Sequence, residues 1–276
     1  MTRIRVVTWN AEGMFVEGTK TRRATPHNAI ATLKKLDADI VVVPEFGRLE
    51  DLEQRIDNAI GSLGYEVILV PYDDDSLSDN DASGMAVLSR IPVVQTRLHK
   101  FGGVRNAVEL HVQLGARQVR IYGLHLDDKR EETRMLQVKD LAQSIATHPQ
   151  LPTLVLGDMN AMYRGAAFAR VSRSRMVKRA SQRVRHEQLL AIALRLQEMA
   201  IGTTIEFIEH HTPLHNLDPK HKLTISGRQA GLEWMPSIRL AKIDWIFGSH
   251  HFKVLRYRVY RDVGSDHRPV IADIEV

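Results

Sequence analysis

The sequence predicts an α/β fold. Short runs rich in Val and Ile, each of strand length, recur from one end of the chain to the other. Segments with apolar residues at helical spacing separate them. No Pro/Gly/Ser-rich linker divides the 276 residues, so residues 1–276 read as one α/β domain.

The predicted strands are Ile4–Thr8, Ile40–Val43, Glu66–Val70, Met85–Leu88, Ala107–Leu114, Val119–Leu124, Thr153–Leu156, Ile243–Phe247, Phe252–Val259 and Val270–Ile274. Each is bounded by Gly, Pro, Asp or Asn, which end strands. Ala107–Leu114 alternates apolar and polar residues, the pattern of a half-buried strand. Thr25–Leu36 predicts a helix, with Thr25 as N-cap and Pro26 at the first helical position. Leu49, Leu52, Ile56, Ile60 and Leu63 form a helical stripe across Leu49–Leu63. Lys129–Thr147 and the long Arg175–Met199 read as further helices. Tyr72–Ser83 is acidic and Ser-rich, the composition of an exposed loop. Ile208–Ile238 has no clear period and suggests a functional loop or rim.

Composition narrows the classes. Hydrophobic residues make up 43% of the chain, enough for a real core. The absence of Cys excludes a disulfide framework, Cys-ligated zinc and iron–sulfur sites. The N-terminal residues lack an apolar signal-peptide core, and no stretch approaches the roughly 18–20 apolar residues of a membrane span. The expectation is a cytoplasmic protein without stable membrane insertion, and nothing in the sequence points to a protein partner. The net charge of +5 and pI near 9.5 favour polyanionic partners, although a mild Arg excess also serves solubility.

The informative residues are the polar ones just beyond the apolar runs. Ile4–Thr8 leads to Asn10, Ile40–Val43 to Glu45, Val119–Leu124 to His125, and Thr153–Leu156 to Asp158 and Asn160. Asp244 follows Ile243 inside its run, and Asp266 and His267 precede the last strand. Polar side chains at strand ends on one edge of an α/β sheet can converge on a cleft. Taken singly, an Asn or Asp after a strand is usually a turn residue or helix cap. Asp158 and Asn160, two apart, would face the same side if extended. The blocks taken together carry more weight.

TWN (Thr8–Asn10), PE (Pro44–Glu45), GMAVLSR (Gly84–Arg90), GLHLDD (Gly123–Asp128), LGDMNA (Leu156–Ala161), KIDWIF (Lys242–Phe247) and GSDHRP (Gly264–Pro269) resemble the signature blocks of the endonuclease/exonuclease/phosphatase superfamily. They occur in the family's order and span nearly the whole chain. GLHLDD with the following EETRMLQ (Glu131–Gln137) is most similar to bacterial members. The resemblance implies a four-layer sandwich of two packed, mostly antiparallel sheets flanked by helices. It also implies a Mg²⁺- or Mn²⁺-dependent hydrolase of phosphate esters. One departure is visible: many members carry Gln where this chain has Pro44, so an amide hydrogen bond is missing while Glu45 remains.

By the same resemblance, Glu45 and the Asn10 amide hold the metal, with Asp266 as a third ligand, direct or through water. Few, hard oxygen donors suit Mg²⁺. Asp158 would position and deprotonate the attacking water, and Asn160 would orient it. His267 would pair with Asp244, whose carboxylate fixes the ring tautomer. The family leaves open whether His267 or Asp158 is the formal base. His125 would donate to a non-bridging phosphoryl oxygen. Lys242 is within sequence reach of the phosphate, but a surface lysine is the plainer reading. Among the 13 His, His210, His211, His215 and His221 crowd one region without the spacing of a zinc site.

Arg164–Arg185 holds Arg164, Arg170, Arg173, Arg175, Lys178, Arg179, Arg183 and Arg185 and no acidic residue. Arg175, Arg179 and Arg183 recur every four residues and would share a helix face. Three readings stand: a nucleic-acid backbone track, capture of an anionic lipid or inositol-phosphate headgroup, and a solvated outer helix. Only 6% of the chain is aromatic, which leaves few base-stacking platforms and favours backbone contact. The expected substrate is a phosphate ester, nucleic acid first, with phospholipids and inositol phosphates as the alternative. A catalytically silent binder of nucleic acid or protein would have little reason to keep every one of these groups.

Overall fold

The structure is a computed structural model that describes residues 2–15, 25–47, 54–72, 84–102, 105–166, 169–170, 187–226, 239–261 and 263–276. In chain order the described elements are β1 (Arg3–Thr8), α1 (Pro26–Leu36), β2 (Ile40–Gly47), α2 (Gln54–Gly61), β3 (Glu66–Val70), β4 (Gly84–Ser89) and β5 (Val93–Phe101). Then come β6 (Arg105–Leu114), β7 (Arg117–His125), α3 (Glu131–Ala146), β8 (Thr153–Asp158), α4 (Glu187–Met199) and α5 (Thr203–His211). The last are β9 (Leu214–Asn216), β10 (Ile225–Ser226), β11 (Arg239–Ala241), β12 (Asp244–Ser249), β13 (Lys253–Val259) and β14 (Val270–Glu275).

Two six-stranded sheets form the centre, in the orders β13-β14-β1-β2-β4-β3 and β5-β6-β7-β8-β12-β9. Most neighbours are antiparallel, but each sheet holds one parallel pair, β1 with β2 and β7 with β8. Strand alternation gives each sheet two apolar faces. Ile4, Val6, Ile40 and Val42 of one sheet share a buried cluster with Val108, Leu110, Ile121, Leu154 and Leu156 of the other. On the opposite faces, Val7, Val41 and Val43 pack against Leu33 and Leu36 of α1 and Ile56 and Ile60 of α2. Tyr122, Leu124 and Phe247 pack against Val138 and Leu141 of α3 and Ile205 and Ile208 of α5. The layers are therefore helix, sheet, sheet, helix, as the resemblance implied.

Local signals explain several boundaries. The Thr25 hydroxyl accepts the Asn28 N–H at 3.3 Å and caps α1, and Asp37 ends it in the left-handed region at φ 44°. The Arg175–Met199 prediction meets α4 only over Glu187–Met199, and Arg175, Arg179 and Arg183 lie outside the described residues. The segment expected to be irregular from Ile208 instead continues α5 to His211 and adds β9. Its residues 227–238 lie outside the described set.

Strand β6 is not half-buried. Glu109 and His111 are both buried, because Glu109 bridges His111 and His99 of the neighbouring β5, each at 2.7 Å. Pairing supplies the partners that make polar burial tolerable. Lys242 is also not a surface residue. It is buried, with Nζ donating to Asp218 Oδ2 at 3.0 Å and lying 4.1 Å from the Trp245 ring centroid. Among the described residues no helix is long and apolar enough to cross a membrane.

Candidate active site

The topology brings the predicted residues to one end of the sandwich. β1 and β2 run parallel, so Asn10 and Glu45 emerge together. β7 and β8 also run parallel, and their register sets His125 directly beside Asp158. β12 runs antiparallel to β8, so its first residue, Asp244, pairs with Asp158. β14 runs antiparallel to β1, which places the preceding Asp266 and His267 at the same end. Gly157 allows the close approach behind this row: a Cβ there would lie 1.9 Å from the Leu124 carbonyl oxygen.

Asp158 is the centre. Its Oδ2 accepts from Asn10 Nδ2 at 3.1 Å, and lies 3.8 Å from His125 Nε2 and 3.7 Å from His267 Nε2. Burial pushes its carboxyl up to about 7; the Asp244 charge adds to that, while the His267 charge and the bonds from Asn160 and Asn10 oppose it. His267 Nδ1 lies 2.9 Å and 3.0 Å from the two Asp244 oxygens. Burial alone would lower that imidazole, but the charges of Asp244, Asp158 and Asp266 outweigh it and hold the ring well above its ordinary value. The pair is thus arranged as an imidazolium between carboxylates.

Asn160 reaches the site by a turn rather than by the pleat of an extended strand. Its φ is 46°, its N–H donates to Asp158 Oδ1 at 2.9 Å, and its Nδ2 donates to the Leu126 carbonyl at 2.9 Å. Glu45 also has a left-handed backbone, at φ 48°, where β2 loses register against β4 between Val43 and Gly47. Pro44 sits in that irregularity, and its carbonyl accepts the Ala11 N–H at 3.0 Å. Glu12, at φ 49°, is a third such residue. Strained non-glycine backbone at three residues of one cleft is the pattern of a functional site.

Glu12 is the residue that sequence reasoning missed. Its Oε2 accepts the Asp266 N–H at 3.3 Å. Burial, with the Asp266 and Glu45 charges, pushes its carboxyl up to about 7, against the opposing Asp266 hydrogen bond. Asp266 is raised as well, by burial first and then by Glu45 and Asp244, with His267 and Arg195 opposing. Crowded carboxylates that repel one another are the donor set a hard divalent cation relieves. The donor chemistry therefore fits such an ion, although the oxygens of Glu12, Glu45 and Asp266 do not all lie within 4.8 Å of one another. Asn10 braces this group: its amide donates to Glu45 at 2.9 Å, and its Oδ1 accepts the Glu12 N–H at 3.1 Å. Among the described residues only Asp158, Asp244 and His267 bring three such ligand atoms within 4.8 Å of one another. Their mutual pairing, with a protonated ring, makes them the poorer ligands of the two groups. Among the described residues, no three of His210, His211, His215 and His221 converge to hold an ion.

The ends of the Asp244–His267 pair are themselves held. Thr224 Oγ1 accepts the N–H groups of Ile243 and Asp244 at 3.2 and 3.3 Å, and its carbonyl accepts the Arg268 N–H at 3.0 Å. The segment carrying Thr224 is pinned by Asp218, which accepts from Lys222 N at 2.6 Å and from Lys242.

The profile of the Endonuclease/Exonuclease/phosphatase family matches residues 7–267, and the chain belongs to that family of phosphate-ester hydrolases. Its members typically depend on a divalent metal. Solved structures of similar fold include a family member from Bacteroides vulgatus, at 15% identity and TM-score 0.69, covering 100% of both chains. A Bacteroides thetaiotaomicron mannosyl-6-phosphatase is 17% identical at TM-score 0.64, covering 99% of this chain and 100% of that one. TDP2 of D. rerio, complexed with single-strand DNA product, is 11% identical at TM-score 0.63, covering 100% of both. Such low identities show a shared fold alone. No curated protein sequence is similar enough to count as a match.

Proposed function

We propose that this protein is a divalent-metal-dependent phosphodiesterase acting on nucleic acid, with Asp158 as the base that activates water. The observation that carries the reading is Asp158 itself, buried among His125, Asn10 and the Asp244–His267 pair beside the Glu12–Glu45–Asp266 carboxylates. A Mg²⁺ or Mn²⁺ ion held by Glu45, Asp266 and Glu12 would supply Lewis acidity to a phosphoryl oxygen and neutralise developing charge. The protein's own groups divide the remaining work. Asp158 takes the proton of the attacking water, because His267 is held protonated by its carboxylates and is poorly suited to accept one. His267 faces the developing phosphorane charge from one side, and His125 Nε2 donates from another. Asn160 fixes the Asp158 carboxylate through its N–H.

Nucleic acid is favoured over other phosphate esters by the net charge of +5 and the basic run in Arg164–Arg185. Nicking of supercoiled plasmid by the purified protein in Mg²⁺ or Mn²⁺ is the test. Metal-dependent nicking that EDTA abolishes is expected. Hydrolysis of an inositol phosphate or phospholipid, with no nicking in either metal, would overturn the nucleic-acid assignment. Replacing Arg175, Arg179 and Arg183 by Gln should weaken polyanion binding. On duplex DNA the slope of log K against log salt should become shallower by up to ~0.9 for each phosphate that an arginine had neutralised. An unchanged slope would assign that segment to the solvated surface.

A further inference from the structure

We infer that Tyr72 is a positioning residue for His125: its hydroxyl donates to Nδ1 and fixes the orientation of an imidazole whose Nε2 proton points into the cleft. Tyr72 follows β3 and Pro71, on the edge of the first sheet, whereas His125 ends β7 in the second. The contact therefore spans the sandwich. The Tyr72 hydroxyl lies 2.9 Å from His125 Nδ1, and the two rings meet edge to face at 5.6 Å. The Tyr72 ring packs against the apolar core between the sheets, so its hydroxyl is aimed from a fixed base.

A phenol and an imidazole nitrogen can each donate or accept, so the distance alone does not orient the bond. The other side of the ring does. Nε2 faces Glu45 Oε1 at 3.7 Å and Asp158 Oδ2 at 3.8 Å. Once Asp158 has given up its proton, above about pH 7, the carboxylate oxygens only accept, and a bare nitrogen lone pair pointed at them would be repelled. The proton therefore sits on Nε2, and Nδ1 presents a lone pair to the Tyr72 O–H. His267 is oriented by the Asp244 carboxylate, a charged partner. His125 is oriented by a phenol, which fixes the ring without adding a charge. One site thus holds two imidazoles with different second partners, and the one with the uncharged partner is suited to pure hydrogen-bond donation.

The kinetic part of this inference rests on the phosphodiesterase reading, but the tautomer does not. The test uses the full chain without added metal, at a pH above about 7 where Asp158 is ionised, and long-range ¹H–¹⁵N NMR distinguishes protonated from bare ring nitrogens of His125. The expected result is a protonated Nε2 and a bare, hydrogen-bonded Nδ1; in Tyr72→Phe, Nε2 stays protonated while the Nδ1 resonance moves to that of a nitrogen without a hydrogen bond. A protonated Nδ1 in the wild type, or a His125 spectrum that Tyr72→Phe leaves unchanged, overturns the inference whatever the enzyme's substrate proves to be. If plasmid is nicked, Tyr72→Phe should lower kcat roughly ten-fold, the scale of one hydrogen bond, with KM unchanged. The same substitution in a His125→Ala background should lower it no further. Equal losses in both backgrounds would show that Tyr72 acts through the fold and not through His125.

Discussion

Asp158→Asn is expected to lower kcat by ~10²–10⁴-fold while the protein folds normally, because the substitution removes the base of the proposed mechanism and keeps the shape of the side chain. Single-turnover hydrolysis at saturating substrate is the measurement. A variant that keeps half of the wild-type rate would remove Asp158 from the chemistry. In the wild type only the carboxylate can take a proton, so activity should rise with pH through a limb at or below about 7, the value to which burial pushes this group. A bound cation nearby favours the carboxylate and moves the limb down. The stability effect has the opposite direction. Between the ordinary 3.8 and about 7 the folded chain holds a proton on Asp158 that the unfolded chain releases, so its contribution to stability is lost as pH rises through 7. Asparagine cannot ionise. Without added metal, Asp158→Asn should therefore gain thermal stability relative to the wild type as pH rises through this window.

Lys242→Met is expected to destabilise the fold by about 3–5 kcal/mol, the usual result of stranding one member of a buried ion pair. Asp218 is 1% exposed and would keep only its backbone donors from Lys220 and Lys222. For a chain of this size the melting temperature should fall by on the order of 10 °C, read by calorimetry. Combining Lys242→Met with Asp218→Leu should restore much of the loss, because no charge is then left unpaired. A single variant that melts with the wild type would show that the pair contributes nothing. Burial lowers the Lys242 ammonium to about 8, against the pull of Asp218. Between about 8 and the ordinary 10.5 the unfolded chain binds the proton that the folded chain has released, so this group adds stability as pH rises across that window. The destabilised variants should also lose turnover, since Asp218 pins the segment whose Thr224 holds the backbone of Asp244.

The strands that form the core are legible because their apolar runs are buried on both faces. β1, β4 and β14 differ from the predicted bounds by a residue or two, and Glu66–Val70, a partly exposed edge strand, is bounded as predicted by its apolar run alone. Strand β5 is not legible. It is an edge strand with exposed residues on both faces, so Gln95, Thr96, Arg97 and Lys100 obscure any apolar period. The polar residues at the strand ends are legible by one rule, a polar side chain just beyond an apolar run. Tyr72 obeys that rule, coming after Val70 and Pro71, but the acidic composition of the residues after it suggests only an exposed loop. Glu12 obeys no such rule, since it stands in a left-handed turn beyond Asn10. The nearest signal is Gly13 beside it, at φ 71°. Lys242 and Glu109 are misread for a common reason: composition marks a charged residue as solvated, and only tertiary pairing reveals otherwise.

The place of β14 has a bearing on how the protein is made. β14 lies between β13 and β1, and the residues that lead into it include Asp266 and His267. A chain emerging from the ribosome has made both parallel pairs, and Asn10, Glu45, His125 and Asp158, well before this strand exists. Until β14 is inserted beside β1, the first sheet is split and His267 has not reached Asp244. Hydrolytic capacity should therefore arrive in one late step of synthesis. On the proposed mechanism, a product that stops short of Asp266 would carry Asn10, Glu45, His125 and Asp158 and none of the turnover.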